Sequence, residues 1–168
     1  MIVVSDTSPI LSLALIGQLD LLHRLYGSIV IPQAVHDEIV VAGAAYVGGD
    51  DVVQRDWIHI GQATNAIVIA LLMRELDRGE AEAIALAIES KASLLLVDEY
   101  RARRLAQYLG LPYTGLIDCL MEAKRHHYLP AIKPVLDDLI KRANFHVGRK
   151  LYQHTLETAG ELHHADPA

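Results

Sequence analysis

The sequence predicts a three-layer α/β/α sandwich with a central parallel sheet. Three observations predict it. Short continuous apolar runs at Ile2 to Val4, Ile29 to Ile31 and Leu94 to Val97 have the pattern of strands buried on both faces, not the alternation of half-exposed strands. Segments with helical signals separate these runs, and parallel strands need such crossovers. The first and last of the runs end in acids, Asp6 and Asp98, and the working site of such a sheet lies beyond the carboxyl ends of its strands.

Taken in order, Ile2 to Val4 is the first strand. Ser8 is a good N-cap residue and Pro9 suits a first helical position, so a helix is expected from Ile10 to Gly17. A second helix covers Leu19 to Tyr26, and Ile29 to Ile31 is the second strand. Pro32 opens a third helix with Val35 and Ile39 on one face. Gly43 to Asp56, with Gly48, Gly49 and three Asp, reads as a loop, followed by a short strand from Trp57 to Ile60. A helix is expected over Asn65 to Leu76, and Gly79 separates it from an alanine-rich one, Glu80 to Lys91. After the strand at Leu94 to Val97 come a helix from Glu99 to Leu109, a short strand at Pro112 to Thr114, and a helix from Ile117 to Arg125. Val135 to Ala143 and Arg149 to Ala159 read as two last helices. The expected organisation is a single domain over residues 1–168, with the helices from about 135 packed on it or extending it.

Composition narrows the function classes. An apolar share of 52% in 168 residues is that of a folded globule and not a disordered chain. The lone Cys119 has no internal disulfide partner, and the apolar start lacks the charged region of a signal peptide, so a cytoplasmic location is expected. Apolar stretches such as Ile10 to Ile16 are too short to cross a bilayer, for which about 20 residues are needed. The net charge of −6 is unlike that of a typical nucleic-acid binder, but it conceals an asymmetry. Residues 1–100 carry −9, residues 101–150 carry +6 and residues 151–168 carry −3. Carboxylates that bind a cation beside a surface that holds phosphates would give this split, and so would solvated helix faces.

Four acids are placed to converge: Asp6 after the first strand, Glu38 on the third helix, Glu80 at the start of the alanine-rich helix, and Asp98. Each also has an ordinary role. Asp6 and Glu80 complement helix dipoles, Asp98 caps the helix beginning near Glu99, and Glu38 sits at the rim of an apolar face. Four carboxylates at one edge nevertheless repel unless protonated or bridged by a cation. Oxygen-only ligands favour Mg²⁺ or Mn²⁺, and no Cys cluster or His pair points to zinc. Such an ion polarises a phosphoryl oxygen and activates water, which is the chemistry of phosphodiester hydrolysis. No glycine-rich phosphate loop follows the first strand, which disfavours a nucleotide-binding or Rossmann-like phosphatase reading.

The runs VVSDTSP (3–9), IPQAVHDEI (31–39), RGEAEAIALA (78–87) and LLLVDE (94–99) resemble, in their order and spacing, the PIN-domain nucleases. The likeness is greatest to short standalone prokaryotic PIN-like proteins and extends through GLIDCLMEAKRHHYL (115–129) to the final helices. The resemblance implies a Mg²⁺- or Mn²⁺-dependent endoribonuclease acting on RNA, with Asp6, Glu38, Glu80 and Asp98 as metal ligands and catalytic acids. It further implies a toxin of a toxin–antitoxin pair, held in check by a small antitoxin protein, and a homodimer or larger assembly. The related toxins commonly have Asp as the third acid, where this chain offers Glu80 and Glu82. Glu80 is preferred because it directly follows Gly79 at the helix start, whereas Glu82 points about 200° around the helix from it. That departure keeps open a second class of function, a non-cleaving PIN-like module that binds RNA or protein.

Around these acids, Thr7 and Ser8 are candidate substrate-binding hydroxyls, Arg101 is a candidate phosphate ligand, and Glu99 and Asp118 are candidate outer ligands. Arg103 and Arg104 read as a solvated helix face. Lys124, Arg125, His126 and His127 form a second basic cluster that dipole complementation at a helix end also explains. His163 and His164 read as part of a frayed tail.

Overall fold

The computed structural model describes residues 1–45 and 49–162. Five short strands, β1 (Val3–Ser5), β2 (Ile29–Pro32), β3 (Ile58–Gly61), β4 (Leu94–Leu96) and β5 (Tyr113–Thr114), pair in one all-parallel sheet of order β3-β2-β1-β4-β5. Val4 pairs with Val30 on one side and with Leu95 on the other. Because successive strand residues face opposite ways, Val3 and Leu96 enter one core while Val4, Leu95 and Val97 enter a second. Both faces are thus buried, as the uninterrupted apolar runs require.

Helices form the outer layers. The first core is closed by α1 (Thr7–Leu15), α2 (Asp20–Tyr26), α8 (Leu116–Arg125) and α9 (Lys133–Arg142), through residues such as Ile10, Leu13, Leu22, Leu120 and Leu136. The second is closed by α6 (Arg78–Glu89) and α7 (Tyr100–Tyr108), where Ala83, Ala87, Ala102 and Ala106 let the helices lie close to the sheet. Between β2 and β3 run α3 (Gln33–Ala45) and α4 (Gly49–Val53); α3 packs on α1, α4 and α6. Before α6 lies α5 (Ala66–Leu72), and the last described helix is α10 (Arg149–Thr158). Near the end of the described chain, Glu161 accepts the Ile132 and Lys133 backbone N–H groups (2.8 and 2.9 Å) and the Lys124 ammonium (2.8 Å), so it caps α9 and ties down α10. No helix among the described residues is long and apolar enough to cross a membrane.

Several local expectations are corrected. Ser8 does not cap α1: the helix starts at Thr7, with extended Asp6 at the N-cap position. Pro9 becomes the third helical residue, where the N–H it lacks would be unpaired in any case. Pro32 closes β2, and Gly79 lies inside α6, which is capped by Asp77. The supposed loop at 43–56 is largely helical, because α3 runs on to Ala45 and α4 buries Val52 at 2% exposure. Residues 46–48 of that stretch, and His163 and His164, lie outside the described residues.

The order in which strands are added across the sheet reverses at β1. The chain moves outward from it to β2 and β3, then returns to place β4 and β5 on its other side. In doubly wound sheets the crevice at such a reversal, beyond the carboxyl ends of the strands, is where ligands bind. Asp6 and Asp98 follow the two strands that flank it.

Candidate active site

An open cleft of about 470 Å³ lies at that reversal. Its lining includes Asp6, Glu38, Glu80 and Asp98, so the four acids singled out from the sequence share one site. Thr7, Ser8 and Glu99 also line it, and the residues 143–146 that follow α9 form another wall. Arg101 and Asp118 lie outside the cleft. Arg101 lines an adjoining groove on α7, and Asp118 faces Arg103 at 4.0 Å.

Asp6 is held rigidly. Its backbone N–H donates to the Leu96 carbonyl at 3.0 Å, extending the β1–β4 pairing to the site, and its residue exposure is 4%. Burial raises its carboxyl to about 8, against the lowering effect of the Thr7 backbone N–H, and the negative charges of Glu80, Asp77 and Glu38 push the same way. A carboxylate this deep among like charges is the electrostatic centre of the cleft.

The other three acids share one device. Each has one oxygen fixed by a donor of the chain, and its second oxygen accepts no hydrogen bond among the described residues. Glu38 projects from α3 beside buried Val35 and Ile39, and its Oε2 accepts the Thr7 hydroxyl. Glu80 takes part in a capping box: its N–H donates to Asp77 Oδ1 (2.9 Å) and its Oε2 accepts the Asp77 N–H (3.1 Å). Asp98 Oδ1 accepts the Leu116 N–H at 2.8 Å. Asp98 therefore caps α8, not the helix beginning near Glu99. Its Oδ2 is buried and without a partner. Burial raises the carboxyls of both Glu80 and Asp98, with Asp77 adding to the effect at Glu80.

Glu82 is occupied elsewhere. Its Oε2 accepts the Ala34 N–H in the first turn of α3 (3.0 Å) and its Oε1 accepts the Arg78 guanidinium (3.0 Å). It does not line the acid cleft. Thr7 reaches the cleft with its hydroxyl already donated to Glu38, so its first task is to orient an acid.

Sequence reasoning missed Asp77, Asn144 and His146, all of which line the cleft. For Asp77 a signal existed: Asp at the N-cap with Glu three residues on is the capping-box pattern. Asn144 and His146 had none, since a loop after a helix acquires its neighbours only through folding.

The donor chemistry suits a hard divalent cation: oxygen ligands, carboxyls whose burial disfavours their charge unless a cation balances it, and a buried oxygen at Asp98 with no partner among the described residues. As placed, no three or more His, Cys, Asp or Glu side chains among the described residues come together around one point to hold an ion. Glu80 is committed to the N-terminus of its own helix α6, and Asp98 to that of α8.

A comparison with curated proteins finds no significant match. A family model described as a PIN domain matches residues 2–161, nearly the whole chain, and agrees with the parallel sheet and acidic carboxyl edge described above. The chain belongs to the PIN-domain family, whose fold is of nuclease type.

Proposed function

We propose that this protein hydrolyses RNA phosphodiester bonds internally, with Mg²⁺ or Mn²⁺ held by Asp6, Glu38, Glu80 and Asp98. The observation that carries the reading is Asp6 itself, a carboxylate buried among three others and raised to about 8, an arrangement that a bound cation relieves. When bound, such an ion neutralises charge on the scissile phosphate and lowers the pKa of a coordinated water.

The chain's own groups supply position. Thr7 orients Glu38, the Asp77 N–H orients Glu80 and the Leu116 N–H orients Asp98. Donors of this kind fix the ligand-bearing side chains before any ion arrives. Asp6 gives up its proton when the site fills, since a ligating carboxylate must be ionised. Ser8, exposed at the start of α1, is placed to donate to a phosphate oxygen, with the positive end of the α1 dipole behind it.

The test is cleavage of labelled RNAs by the purified protein with Mn²⁺, Mg²⁺ or EDTA, beside Asp6→Asn and Asp98→Asn. Metal-dependent cleavage lost in both variants supports the assignment. Equal cleavage by the variants sinks it.

A second reading has its own observation: among the described residues no three acids close around one point, and two are committed to helix caps. On that reading the protein is a non-cleaving PIN-like module that binds RNA or protein. Binding of RNA without cleavage under every metal condition would establish it. A toxin role, an antitoxin partner and self-association belong to the first reading and rest on family likeness. Growth arrest on expression, relieved by the product of an adjacent gene, tests the toxin role, and sedimentation tests assembly.

A further inference from the structure

We propose that the outer face of α7 is a stacking track for single-stranded RNA that leads out of the acid cleft; this rests on the nuclease reading and names its substrate class. The helix is amphipathic in an unusual sense. Its buried side is small, Ala102 and Ala106, and its outer side carries large rings, with Tyr100 68% and Tyr108 86% exposed. Aromatic rings on an outer face leave apolar surface in water with nothing gained in the core.

Spacing turns these residues into a row. Tyr100, Arg104 and Tyr108 recur every four positions and so lie along one stripe. The two rings are about 12 Å apart along the axis, roughly the span of three bases stacked at about 3.4 Å. The Arg104 guanidinium lies over the Tyr100 ring at 5.8 Å, and Arg101 stands at the first turn. All four line one open groove, with Glu75 the acid beside them. Solvation explains exposed arginines; it does not explain tyrosines interleaved with them at helical spacing.

Along the chain the groove starts one residue past the cleft. Glu99 lines the acid site and the next residue, Tyr100, begins the row. A strand whose scissile phosphate sits among carboxylates needs positive charge close by, and Arg101 and Arg104 supply it. Stacked rings with guanidiniums suit unpaired bases, which expose their faces; a duplex hides them.

The test measures binding apart from cleavage. A labelled, cleavage-resistant 2′-O-methyl RNA single strand is titrated with the full-length protein in EDTA and followed by fluorescence anisotropy. Tyr100→Ala and Tyr108→Ala are each expected to weaken binding by about five- to a hundredfold, and the Tyr→Phe variants to retain it. Arg104→Ala is expected to lower the slope of log affinity against log salt by about 0.7. Alanine variants that bind like wild type, or a duplex that competes as well as the single strand, would overturn the track. So would unchanged RNA affinity in alanine variants whose sedimentation shifts, which would make this face a contact between protein chains. Because metal-dependent cleavage is scored separately, the track can fail while the nuclease assignment stands.

Discussion

The carboxylate of Glu38 occupies the space that any side chain on residue 79 would need: a Cβ built on Gly79 would stand 2.5 Å from Glu38 Oε1 and 2.7 Å from Oε2. The glycine that seemed to separate two helices is the surface against which a site acid rests. Ala favours a helix over Gly by about 1 kcal/mol, and because the obstacle is the far end of a flexible, half-exposed side chain, Gly79→Ala is expected to push the Glu38 carboxylate aside and to recover less than that gain while Glu38 is present. Urea unfolding of Gly79→Ala, Glu38→Ala and the double variant checks this. A non-additive cycle is expected, with the full helix gain recovered only when Glu38 is also shortened, and simple additivity would mean that Glu38 is not the obstacle.

Asp6 sets a pH dependence. Its folded pKa of about 8 lies above the value of 3.8 expected for the unfolded chain. Between those values the folded state keeps a proton that the unfolded state has released. The contribution of Asp6 is therefore complete below about pH 4 and is lost as pH rises toward 8, by up to about 1.4 kcal/mol per unit. Glu80 and Asp98 act in the same sense. Asp137 is lowered by its hydrogen bonds to Lys133 and Tyr152, and Glu161 is lowered because Lys124 and two backbone N–H groups outweigh its burial; both act at acid pH, so pH 5 to 8 is the window in which to compare wild type with Asp6→Asn. In EDTA the wild-type Tm is expected to fall across that window, and Asp6→Asn to flatten the fall. Parallel curves for the two proteins would contradict the assignment.

Filling the cleft should expel the Asp6 proton. Calorimetric titration with Mn²⁺ near pH 7, in two buffers of different ionisation enthalpy, is expected to show release of up to about one proton per ion bound. Ion at a hundredfold excess over its Kd should stabilise the fold by about 2.7 kcal/mol. Binding with no buffer dependence would place the ion away from Asp6.

Glu80 and Glu82, two residues apart, should separate cleanly. Glu82→Ala leaves the Ala34 N–H without its cap and is expected to cost about 1–2 kcal/mol of stability, with RNA cleavage retained in the folded protein. Glu80→Gln is expected to lower cleavage at least tenfold with a smaller change in stability. Activity lost in Glu82→Ala and kept in Glu80→Gln would exchange their roles.

The sheet was legible because β1, β2 and β4 are buried on both faces and so appear as uninterrupted apolar runs. The position of the site followed from that, since a parallel sheet leaves its carboxyl edge free for chemistry. Helix ends were less legible. Ser8 has the chemistry of a cap, but extended Asp6 and the helical Thr7 place the boundary two residues earlier. Glycine and aspartate made 43–56 resemble a loop, while the tertiary burial of Val52 and the bridging of Asp20 and Asp51 by Arg55 sustain α4. Pairwise roles were least legible. That Thr7 serves Glu38, or that Asp98 caps a helix eighteen residues on, depends on contacts between elements distant in sequence.

Asp98 Oδ2, buried with no partner among the described residues, and Asp6, whose burial raises its pKa, are places where this fold is less stable than the same backbone could be. A selection for thermal resistance that ignored activity would therefore favour uncharged side chains at both positions, because they carry no charge to desolvate. The residues such a selection removes first would be two of those proposed to hold the ion, so on that proposal improvement in stability and loss of function would arrive in the same clones.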